Sequence, residues 1–200
     1  MSTASLTPEL DSTAYRHRSV PGSIAVWVLI YAELSEFALF FLVYLVTRAH
    51  NTELFAAGPA QLNILAGTLN TLVLVSSSFC VARAMKAIQR NDRRACIRWL
   101  GLTIACGAAY CGIKGWEYLW NEAHGLHARS NLFFTLYYYL TFNHLLHVLV
   151  GMATLSWLCL RTWLGSYDAE DHEGLENGAC YWHMIDLAWI ILFPLVYVMG

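Results

Sequence analysis

The chain has 200 residues, of which 58% are hydrophobic and 13% charged, with a formal net charge of −2. A soluble domain carries about twice that charged fraction, so the composition excludes an ordinary water-soluble fold. The small net charge says nothing about partners, although no nucleic-acid partner is expected.

Five apolar segments, each about long enough to cross a hydrocarbon core, lie near residues 24–47, 62–85, 99–120, 132–160 and 180–199. Lipid offers the backbone no hydrogen-bond partners, and these runs are too long for barrel strands. The expected fold is therefore all-α: a polar tail over residues 1–23, then one five-helix transmembrane bundle over residues 24–200. The tail lacks the apolar stretch of a cleavable signal peptide. Arg16 and Arg18 precede the first segment, and Lys86, Arg90, Arg93, Arg94 and Arg98 follow the second. By the positive-inside rule the N-terminus and the 86–98 loop are cytoplasmic, and an odd number of spans puts the C-terminus on the periplasmic side. The acidic 161–179 loop is neutral in that rule.

In the first span Glu33 and Glu36 are three residues apart and share a helix face, with Ser35 beside them. At 1.5 Å per residue, Glu36 lies near the bilayer midplane. A bare carboxylate there costs roughly 2.5–3.5 kcal/mol. Glu36 is therefore expected to be protonated or hydrogen-bonded to another helix, with a histidine of the fourth span as the expected partner. It is read either as a proton-linked site or as a neutral acid that holds packing. Gly58-Pro59 signals a turn before the second span.

In the third span Lys114 and Glu117 form an expected intrahelical ion pair, and Tyr118 and Trp120 mark the interface. Gly101, Gly107, Gly112 and Gly115 here, and Gly151 in the fourth span, would permit close helix approach, with Ala108–Gly112 as a small-xxx-small pair.

The fourth span carries Asn143, His144 and His147 near its middle. A His-x-x-His pair could ligate a metal, and Glu36, His183 and Asp186 could complete a set. The repeated Glu-x-x-His of di-metal bundles is absent, and His144 and His147 are too close to hold two haems. No metal and no haem are expected, and histidines bonded to carboxylates of neighbouring helices are favoured. In the last span Trp182 and Trp189 share a face, while His183 and Asp186 are expected near the cytoplasmic end in an interfacial network. The six cysteines form no Cys-x-x-Cys pair and are read as reduced, packed thiols.

Five stretches in order, SEFALFF, LNTLVLVSSS, KGWEYLW, LTFNHLLHVLVGM and YWHMIDLAWIILFPLVYV, resemble subunit III of the haem–copper oxidases in its five-span bacterial form. The likeness covers roughly residues 24–199. It places the family's buried glutamate on Glu36 and its Asn-Thr and Ser-Ser on Asn70, Thr71, Ser77 and Ser78. Its Glu-Tyr falls on Glu117 and Tyr118, its two histidines on His144 and His147, and its last motif on Trp182, His183, Asp186 and Trp189. Two family glycines are replaced by Phe142 and Leu145. Lys114 and the aromatic stretch 133–138 look more like the branch that accompanies nitric oxide reductases.

The resemblance implies a subunit without catalytic centre, haem or copper. Such a subunit packs against the catalytic subunit I and other subunits of a respiratory complex, binds phospholipid, and supports proton uptake and lasting activity. The setting is the bacterial inner membrane. Either an oxygen or a nitric oxide reductase could be the partner. A stand-alone proton-coupled transporter is a rival, although the odd span number and lack of repeats oppose it. A haem-binding cytochrome subunit is another.

Overall fold

The computed structural model describes residues 21–199. Residues 1–20 of the expected tail, with Arg16 and Arg18, lie outside the described residues. In chain order the helices are α1 Ile24–His50, α2 Thr52–Ala57, α3 Ile64–Gln89, α4 Arg93–Ala123, α5 Leu132–Trp163 and α6 Glu173–Phe193. A 3-10 turn, Pro59–Gln61, precedes α3, and one π turn, Pro194–Val198, extends α6. No strand occurs among the described residues. Among the described residues five helices are long and apolar enough to cross a membrane.

Polar residues fix the helix starts. Ser23, Asn63, Asp92 and Asn131 each accept a backbone N–H from the first turn of α1, α3, α4 and α5, which satisfies donors that the helix itself leaves open. The 51–61 loop, expected only to turn, contains α2. Its Phe55 is fully buried, edge-on to Tyr44 at 5.2 Å and to Phe133 at 5.6 Å.

The start of the last span needs a correction. Helix α6 begins at Glu173, several residues before the apolar run, because Glu173 and Glu176 suit the positive end of a helix dipole. His183 and Asp186 therefore sit near the middle of the helix, not at its end. The start of α6 also ties the bundle to the start of α1. Gly22 N–H donates to Glu176 Oε2 at 3.0 Å and Ser23 N–H to Asn177 Oδ1 at 2.7 Å. Asp168 accepts the N–H groups of Asp171 and Glu170, and these bonds hold its carboxyl below the usual carboxylate range.

Of the five spans, α6 is the most buried and α1 the least. Trp182 and Trp189 share one face, as expected, and both are fully buried. Their ring N–H groups donate to α3 hydroxyls, Trp182 to Ser77 and Trp189 to Thr71, each at 2.9 Å. Such bonds settle the polar tip of an otherwise apolar ring. Gly107 of α4 and Gly151 of α5 leave room for Trp182, since an added Cβ would lie 3.1 Å and 3.0 Å from its ring. The other glycines of the third span face away from the bundle interior. Gly101, Gly112 and Gly115 meet open space, and Ala108 is exposed, so the Ala108–Gly112 pair faces outward.

Candidate functional site

The intramembrane polar residues fall into three groups with different characters. The first is closed. Lys114 and Glu117 are fully buried, with Nζ 3.0 Å from Glu117 Oε2. Nζ also donates to Tyr197 at 2.6 Å and to Tyr137 at 3.3 Å. Three acceptors match the three hydrogens of an ammonium group. Tyr137 and Tyr197 in turn donate to Glu117 Oε1 at 2.9 Å and 2.7 Å. The rings of Tyr118, Tyr137, Trp189 and Tyr197 surround Nζ at 4.9–5.5 Å from their centroids, adding cation–π attraction. This clamp joins α4, α5 and the π turn. Sequence reasoning found the Lys114–Glu117 pair but missed Tyr137 and Tyr197. Tyr197 reaches the pair from the π turn that begins at Pro194, a residue without a backbone N–H. Tyr118, beside the pair, bonds Thr141 at 2.9 Å and is half-buried.

The second group lies between α3 and α6. Ser78 Oγ is 2.7 Å from His183 Nδ1, and His183 is exposed on the outer surface. Asp186 is 4% exposed, and neither carboxylate oxygen has a hydrogen-bond partner among the described residues. Asn70 is buried with its amide oxygen and nitrogen likewise unpartnered.

The third group joins α1 to α5 and opens outward. His147 Nε2 is 2.8 Å from Glu33 Oε2, with both side chains partly exposed. His147 Nδ1 lies 2.9 Å from the Asn143 carbonyl oxygen. A carbonyl can only accept, so Nδ1 carries a hydrogen. The short Nε2–carboxylate contact then requires a second proton between His147 and Glu33. The pair is either imidazolium beside carboxylate or imidazole beside carboxylic acid, and in both forms it holds one shared, exchangeable proton. Glu33 also lines a groove of about 400 Å³ between α1, α5 and α6 with Asn177 and Tyr181.

Three expectations are revised here. Glu36 is exposed on the bundle surface rather than buried, and Asn143 Nδ2, not a histidine, donates to it at 3.3 Å. Glu33 is the carboxylate that meets a histidine. Ser35 turns away from both and bonds the Tyr31 carbonyl of its own helix at 2.7 Å.

His144 meets no carboxylate. Its Nε2 donates to the Ile185 carbonyl at 3.1 Å and its Nδ1 accepts from Tyr110 OH at 2.9 Å. Both nitrogens of a neutral ring are thereby satisfied. His144 faces the bundle interior and His147 faces α1, so the two do not act as a joint ligand pair. Among the described residues no three His, Cys, Asp or Glu side chains form a metal-holding group. All six cysteines are free. Of the two residues in place of family glycines, Phe142 points outward at 53% exposure and Leu145 packs against the core.

Fold and polar groups together define a multi-pass membrane helix bundle. Its interior ionisable groups clamp helices, and one carboxylate-rich face opens outward. The comparisons narrow this class. Residues 23–200 match the family model "Cytochrome c oxidase subunit III". The chain is 34% identical over 207 residues to "Cytochrome c oxidase subunit 3" of Synechocystis, covering 100% of this chain and 88% of that protein. It is 33% identical to the protein of the same name from Thermostichus vulcanus, with 88% and 86% covered. It is 30% identical to "Probable cytochrome c oxidase subunit 3" of Nocardia farcinica, with 98% of each covered. This chain belongs to the cytochrome c oxidase subunit III family of the haem–copper oxidases. The nitric oxide reductase and transporter readings are not favoured by these relatives.

Proposed function

We propose that the chain serves as a subunit without redox centres in a haem–copper respiratory oxidase of the bacterial inner membrane. It packs against catalytic subunit I, holds phospholipid, keeps the complex active and supports proton uptake. Its N-terminus is cytoplasmic and its C-terminus periplasmic, in keeping with the basic 86–98 loop. The outward stripe of Gly101, Ala108 and Gly112 on α4 supports a closely packed partner helix.

The observation that carries the proton role is the 2.8 Å contact of Glu33 with His147, with Glu36 and Asn143 one turn away on the same outer face. An ionisable residue on a membrane-facing surface is costly unless a partner or water reaches it. A face that pairs a carboxylate with an imidazole near a second carboxylate is suited to taking up and passing protons beside a catalytic subunit.

The test of the assembly is purification of the tagged chain from native membranes in mild detergent. The expected product is a complex with haem absorbance and a haem–copper catalytic chain. The same chain stripped of its partners should show no haem band. Recovery of the chain alone from mild extracts, or haem that stays with the stripped chain, would contradict the proposal.

A further inference from the structure

The α3–α4 hairpin carries a second site, outside the three polar groups. Arg83, Lys86 and Arg90 are exposed and recur along one face of α3 and its cap. With Asp92 and Trp99 they line a cavity of about 240 Å³. Among the described residues Asp92 is the one carboxylate in its wall, and its Oδ1 already accepts Ala95 N–H at 2.9 Å to cap α4. Three cations thus face one carboxylate. None of the three cations forms an ion pair among the described residues.

Trp99 forms the floor. The Arg83 guanidinium sits 5.4 Å over its ring, and Phe79 meets it edge-on at 6.1 Å. On the other side Trp99 borders a second cavity of about 300 Å³ with Arg98 and Leu102. Below the charged rim the surface turns apolar: Val75, Phe79 and Leu102 are 50%, 60% and 47% exposed. A basic rim, an interfacial tryptophan and an apolar strip follow one another down one hairpin. That order matches the polarity of a phospholipid, and basic pockets between spanning helices are suited to anionic headgroups.

We propose that the hairpin holds one anionic phospholipid, its phosphate among Arg83, Lys86 and Arg90, its glycerol against Trp99 and its acyl chains along Phe79 and Leu102. The apolar strip decides for a lipid over free phosphate, which would leave that surface unused. The inference gives the phospholipid part of the proposed function a place and a headgroup class, and it rests on that reading only for the membrane setting. Lipid retention is measured on the isolated full chain and oxidase behaviour on the complex, so either can fail alone.

The test is native mass spectrometry of the full-length chain, purified in detergent and stripped of lipid, with phosphatidylglycerol, phosphatidylcholine or inorganic phosphate added back. Phosphatidylglycerol should be retained at least tenfold better than phosphatidylcholine, and phosphate should not bind in the same range. The combined Arg83→Gln, Lys86→Gln and Arg90→Gln variant should lose at least tenfold in phosphatidylglycerol retention. Arg129→Gln, in a different loop, should lose nothing. If the triple variant does not fold, Lys86→Gln alone should lose a few-fold. Equal retention of the two lipids, phosphate binding as well as lipid, or unchanged retention in the folded variants would each overturn the proposal.

Discussion

Lys114 is as deeply buried as any leucine of the bundle, yet all three of its hydrogens have acceptors. Removing one partner of such a pair leaves the other charge uncompensated, which costs about 3–5 kcal/mol. Lys114→Met should therefore lower unfolding stability in detergent by about that much. Lys114→Met combined with Glu117→Gln should recover a large part of the loss, as a double-mutant cycle would show. A single variant as stable as the parent would mean that the clamp does not form. Asp186 presents the opposite case. Among the described residues its oxygens have no hydrogen-bond partner, and the nearby Ser78 hydroxyl is engaged with His183. Asp186→Asn keeps the shape and breaks no bond, so its stability should stay within about 1 kcal/mol of the parent. A loss of several kcal/mol in thermal unfolding would reveal a partner for the carboxylate. At this scale the sequence showed which residues were out of place in lipid but not which atoms meet. Glu33 and Glu36 share a helix face by spacing, but only the position of α5 decides that Glu33 takes the histidine and Glu36 takes Asn143.

Helix α6 organises the elements because its two tryptophans enter between helices whose glycines make room. Gly151 and Gly112 separate the two uses of glycine. Both lie within long helices, so replacement by alanine gains the same intrinsic preference in each. At Gly151 the new Cβ would lie 2.8 Å from Ile185 and 3.0 Å from Trp182, whereas at Gly112 it meets nothing within 4 Å. In the isolated chain Gly151→Ala should be less stable than Gly112→Ala by about 1–3 kcal/mol, the usual cost of overpacking. Equal stabilities would show that Trp182 shifts freely. If a partner helix packs on the outward stripe, Gly112→Ala should also reduce recovery of the complex while leaving the isolated chain intact. The five spans were legible from hydrophobic length alone. The first turns of α6 were not, because residues 173–178 read as a polar loop with two glycines. Neither was α2, a six-residue helix with one fully buried side chain, Phe55, nor the π turn, whose role depends on contacts far away in sequence.

At the scale of the whole molecule, the five spans distribute their polar groups unequally. The Lys114 clamp closes the bundle near the end of α4, while the Glu33–His147 pair and Glu36 occupy the exposed side of the least buried helix. Order and type of the elements were readable before the structure. The outward placement of the acidic face was not, since depth along a helix says nothing about rotation around it. That placement turns Glu36 from an internal packing acid into a surface group, which suits contact with a partner, lipid or water. The most direct measurement is turnover-linked proton uptake by the purified oxidase carrying Glu33→Gln and Glu36→Gln. Glutamine can still bond His147 and Asn143, so the variant should assemble with normal haem content. The account predicts slower proton uptake and faster inactivation during turnover than in the parent complex. An assembled variant with parental proton uptake and parental lifetime would contradict it.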